Sequence, residues 1–144
     1  MEFITKNGKK EVTINAASFQ DAVNLKKTVM ECLLDAGIIK NINLESLKNI
    51  DTNDLFSKLG ELIIKMDVSE DFNKAVFSCL SACFYNGFHK IDNNFFDDFP
   101  EAREDYYEIV SKCCEVNLNP FFRSLTSELI QRFQTLIPDT PEQQ

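Results

Sequence analysis

Phe121-Phe122-Arg123-Ser124-Leu125-Thr126-Ser127-Glu128-Leu129-Ile130-Gln131-Arg132-Phe133-Gln134-Thr135-Leu136-Ile137 lies between Asn119-Pro120 and Pro138. Phe122, Leu125, Leu129, Phe133 and Leu136 recur at three- and four-residue steps and so share one face of an α-helix. Phe121, Ile130 and Ile137 lie beside that stripe and widen it. A helix this apolar either closes a core or offers its face to another protein. It carries no residue suited to bond-breaking chemistry, which points toward binding.

Working back toward the N-terminus, the same spacing recurs. Pro100 suits the first position of a helix that turns Ala102, Tyr106, Ile109, Val110 and Cys113 inward. Ser69-Glu70-Asp71 begins another, with Phe72, Val76, Cys79, Leu80 and Cys83 on its apolar side and Asn86-Gly87 as its stop. Phe88 to Phe99 reads as a turn-rich connector with room for one short helical turn. Residues from about Asn53 to Met66 form a helix facing inward through Leu55, Phe56, Leu59, Leu62 and Ile63. The first helix is capped by Ser18, has Asp21 near its positive end, and buries Ala22, Leu25, Val29, Cys32, Leu33 and Ala36 before Gly37. Ile38 to Ile50 is ambiguous, although Leu44, Leu47 and Ile50 hint at a short helix.

The N-terminus differs. Phe3-Ile4-Thr5-Lys6 and Glu11-Val12-Thr13-Ile14 are β-prone and flank Asn7-Gly8, a pair that tolerates the positive φ of a tight hairpin. Two strands alone are marginal, so this hairpin should lie on helices or pair with another chain, and its open edges could dock a partner. The expected fold is mainly α: a compact helical domain of about five to six helices over residues 1–137, with an N-terminal β-hairpin at about 2–15 and a polar tail at 138–144.

Composition narrows the function. At 144 residues, 44% hydrophobic and 26% charged, the chain can bury one core and remain soluble. A net charge of −8 and the lack of a long Lys/Arg run oppose binding to a phosphate backbone. No window approaches the run of ~18 apolar residues that a membrane span requires. Met1 to Lys6 shows neither a basic leader nor a long apolar region, and five cysteines is an odd number, so reduced thiols in a cytoplasmic compartment are expected.

Cys79, Cys83 and His89, approached by Cys113-Cys114, are the residue types of a tetrahedral zinc site, but their spacing is not that of a finger or ribbon. Cys79 and Cys83 also coincide with an apolar stripe, where free Cys behaves as a small hydrophobe. His89, the sole histidine, would have to serve any Cys-His or Ser-His pair, and it reads as a solvent-facing loop residue. A calcium loop from Asp92 would need Gly where Asp97 stands and an oxygen where Phe96 stands. Glu101, Glu104 and Asp105 read instead as a solvated acidic face that stabilises a helix start. The four glycines are too far apart for a phosphate-cradling loop. The expectation is a protein without catalytic residues, cofactor or metal.

Three segments together resemble a family. They are Phe3 to Phe19, Glu70-Asp71-Phe72-Asn73-Lys74-Ala75-Val76-Phe77, and Ala102 to Val110 with Asn117-Leu118-Asn119-Pro120-Phe121-Phe122. The chain is similar, nearly throughout and in order, to the tail assembly chaperones of long-tailed phages and prophages of Gram-positive bacteria. The resemblance implies a non-enzymatic protein of the host cytoplasm, not expected in the mature virion. It would bind the tape measure protein, keep it soluble and help recruit tail-tube subunits, with self-association open and no nucleic acid or membrane partner. It also implies that a longer, frameshifted form can exist, and the tail Asp139 to Gln144 fits such a junction. The family supplies no motif of functional residues, so the expected partner-binding surface comes from the apolar pattern: Phe95, Phe96, Phe99, Phe121, Phe122, Leu125, Leu129 and Phe133. The alternative for the same residues is that they complete the core. The rival function is a small acidic regulator, of phage or host, that inhibits a single protein partner through strongly salt-sensitive contacts.

Overall fold

The computed structural model describes residues 1–34, 45 and 48–136, with positions 133, 135 and 136 described by their backbone alone. Strands β1 (Glu2–Ile4) and β2 (Glu11–Thr13) open the chain, antiparallel, with Phe3 opposite Val12. Side-chain alternation buries Val12 completely, half-buries Phe3 and leaves Ile4 exposed. Helix α1 (Phe19–Leu34) follows, and Ser18 Oγ accepts the Asp21 N–H at 3.2 Å as the expected cap. Helix α2 (Thr52–Met66) is capped by Asp51, whose Oδ1 accepts the Asp54 N–H at 2.8 Å. In α3 (Glu70–Leu80) Ser69 Oγ does the same for Phe72.

Beyond α3 the chain departs from expectation. Asn86-Gly87 does not end a helix: α3 stops at Leu80, and the pair turns a second hairpin between β3 (Phe84–Tyr85) and β4 (His89–Lys90). Asn86 (φ 55°) and Gly87 (φ 90°) supply the left-handed backbone that such a turn needs. The competing force is the unpaired edge of β2. Tyr85 aligns with Val12, Phe84 aligns with Thr13, and the Asn86 N–H donates to the Glu11 carbonyl at 2.7 Å. The result is a four-stranded antiparallel sheet in the order β1-β2-β3-β4.

The remaining described residues are mostly helical. A short α4 (Phe95–Asp98) is the one helical turn foreseen in the connector. Pro100–Asp105 then forms a 3-10 turn, with Pro100 at its start, and leads into α5 (Tyr106–Leu118). A second 3-10 turn, Asn119–Phe121, joins α5 to α6 (Phe122–Leu136). Helix α1 packs mainly on α3 and α2 on α5. Their buried faces meet β2 in a core that includes Ile14, Leu25, Ile63, Phe72, Phe95, Ile109 and Leu125. The chain is therefore mainly α, with five longer helices among the described residues and an N-terminal hairpin. The expected roles of Ala36, Gly37 and Ile137, the short helix through Leu44 and Leu47, and the tail 138–144 fall outside the described residues.

Two buried polar residues fix the N-terminal segment to α5. Asn117 Oδ1 accepts the Ala17 N–H at 2.9 Å, while its Nδ2 donates to the Cys113 carbonyl at 2.9 Å. Asp105 is the second, and it overturns part of the acidic-face reading: it is fully buried, whereas Glu101 and Glu104 are exposed. Its carboxylate accepts the Gly8 N–H at 2.9 Å and the Tyr85 hydroxyl at 3.0 Å. Asn7 Nδ2 donates to the Glu104 carbonyl, and the Lys6 N–H donates to Glu108 Oε1. The first hairpin thus clasps the start of α5. This docking also reshapes the turn, for positive φ falls at Lys9 (57°) and not at Asn7-Gly8. Glycine at position 8 serves close approach instead, because a Cβ there would collide with the Asp105 carboxylate.

Candidate functional site

Phe95, Phe96 and Phe99 fall in and just after α4, so one helical turn projects three rings in different directions. From them a continuous belt of ring contacts extends both ways. Phe99 lies 5.2 Å from Phe95 and 4.6 Å from His89, which lies 4.3 Å from Phe88. In the other direction Phe95 lies 5.0 Å from Phe96, Phe96 5.2 Å from Tyr106, and Tyr106 5.1 Å from Tyr107. These are the separations at which edge-to-face and offset pairs attract. Phe95, only 2% exposed, anchors the belt in the core, whereas Phe88 is 72% and Tyr107 44% exposed at its ends. His89 is therefore a half-buried strand residue between two rings and not a loop residue in solvent.

At the Tyr107 end the belt borders a groove of about 520 Å³ lined by Asp67, Asn73, Phe77, Phe96, Arg103, Tyr106 and Tyr107. Asn73 and Phe77 are four residues apart on α3 and so share its outer face. Tyr106 and Tyr107 come from the first turn of α5, and Asp67 follows the end of α2. The carboxylate of Asp67 accepts both tyrosine hydroxyls, from Tyr106 at 3.4 Å and from Tyr107 at 3.1 Å. Burial and the adjacent Asp67 hold the Tyr106 phenol above its ordinary pKa; the hydrogen bond to Asp67 does the same for Tyr107. Asn73 Nδ2 donates to the Asp67 carbonyl at 2.8 Å. Arg103 is held by the Phe96 carbonyl, 2.9 Å from Nε, and by Asp97, 3.5 Å from Nη2. The lining offers apolar area, hydrogen bonds and one carboxylate.

The other expected surface residues separate. Leu125 and Leu129 are buried in the core with Phe95, so for these three the core-completing alternative describes where they lie. Phe96 and Phe99 are half-buried on the belt. Phe121 and Phe122 are half-buried elsewhere, at the start of α6, where Phe121 lies 6.3 Å from exposed Phe19 and the Lys26 ammonium sits 5.7 Å from its ring centre. The Phe133 side chain lies outside the described residues. Asp67, Asn73, Phe77, Arg103, Tyr106 and Tyr107 were not anticipated as site residues. The Tyr106-Tyr107 pair was a signal in the sequence, but the groove forms where two separate stretches of the chain, residues 67–77 and 96–107, meet.

The cysteines assemble differently from a metal site. Cys79, Cys83 and Cys113 are buried, and hydrogen bonds with the other two thiols, aided by burial, push Cys113 up. Burial pushes the Cys114 thiol up to about 12. His89 belongs to the aromatic belt instead, and among the described residues no group of three or more His, Cys, Asp or Glu side chains is placed to hold a metal ion. No described helix is long and apolar enough to cross a membrane.

A helical protein that exposes an aromatic groove edged by a carboxylate has the means of a module that holds another polypeptide. Comparison with known families then assigns it: residues 7–131 match the family described as phage tail assembly chaperone protein, TAC. The chain belongs to that family. No match was found among curated proteins or among solved structures.

Proposed function

We propose that the protein is a non-enzymatic chaperone of the host cytoplasm that binds the tape measure protein, keeps it soluble and helps recruit tail-tube subunits, without entering the mature virion. Family membership across residues 7–131 carries this reading. The aromatic belt supports it, since an elongated apolar client needs grooves between helices to shield it. A net charge of −8 adds a repulsive exterior that keeps such complexes dispersed. Phe96, Phe99, Phe121, Phe122 and Phe133 remain the proposed partner contacts from the apolar pattern.

The test is co-expression with the tape measure protein of the same tail-gene cluster, followed by size exclusion with light scattering. A soluble complex holding several copies of this chain per client, where the client alone precipitates, is the expected result. An insoluble client beside an unchanged peak of this protein would remove the reading. A one-to-one complex with another protein that dissolves at moderate salt would point to the acidic-regulator alternative.

A further inference from the structure

We draw no further inference here: the strongest candidate, the outer edge of strand β1 with Ile4 exposed between Glu2 and Lys6, carries none, because charges of both signs flank it and nothing in the structure shows what covers it.

Discussion

Replacing Asp105 by alanine should unlock the N-terminal hairpin from α5. The side chain is fully buried, and its loss strands two donors, the Gly8 N–H and the Tyr85 hydroxyl. Hydrogen bonds to a charged acceptor contribute about 1.5–3 kcal/mol each, and stranding a buried donor has a similar cost. Against this stands relief from burying a carboxylate, which offsets part of the sum. A net loss of about 3 kcal/mol is expected, equivalent to a fall in Tm of roughly 10 °C for a chain of this size. Tyr85→Phe removes one bond and should cost about 1 kcal/mol. The double variant should lose less than the two singles added together, by about 1 kcal/mol, because both remove the same bond. Urea unfolding followed by circular dichroism gives the free energies, and amide exchange at Gly8 reports the local release. A loss below about 1 kcal/mol for Asp105→Ala, or a gain, would refute the clasp, as would Gly8 exchange that stays as slow as in the parent.

Gly8→Ala should destabilise by about 1–3 kcal/mol in the same urea assay, since the new Cβ collides with a carboxylate that is itself enclosed. Leu125→Ala in α6 should cost about 2–5 kcal/mol, and Phe121→Ala less, because Leu125 is fully buried and Phe121 is not. Alkaline pH should unfold the protein from about pH 10 upward. Burial raises the Tyr85 and Tyr106 phenols in the folded state, so the unfolded chain ionises first and stability falls as pH rises. Tyrosinate absorbance rising in step with loss of helix would show it, and free titration without unfolding would contradict it. Thiol labelling of the native protein should reach half-buried Cys32 ahead of Cys79, Cys83, Cys113 and Cys114, and urea should bring those four up to its rate.

The helices were legible because their determinants are local. Ser18 and Ser69 cap where the sequence placed them, and the three- and four-residue spacing of Leu25, Val29 and Leu33, or of Ile109, Val110 and Cys113, is the signature of one buried face. The first hairpin was equally readable from its β-prone flanks around Asn7-Gly8. The second was not. Asn86-Gly87 is a fair helix stop and a fair hairpin turn alike, and the choice was made by the open edge of β2, contributed by residues more than seventy positions earlier.

Burial of Asp105 was hidden for the same kind of reason. An acidic residue in the first turn of a helix is ordinarily solvated, and only the arrival of Gly8 and Tyr85 encloses it. The apolar stripe of α6 announced burial or docking without choosing, and packing in the core settled Leu125 and Leu129 while leaving Phe121 and Phe122 half in water. From the sequence alone came the helices and the acidic balance, each a property of spacing or composition along the chain, and the resemblance to a chaperone family, which three segments carry. The groove of Asp67, Asn73, Phe77, Phe96, Arg103, Tyr106 and Tyr107 belongs to the tertiary structure, because its walls come from segments whose meeting is decided by packing of the whole core.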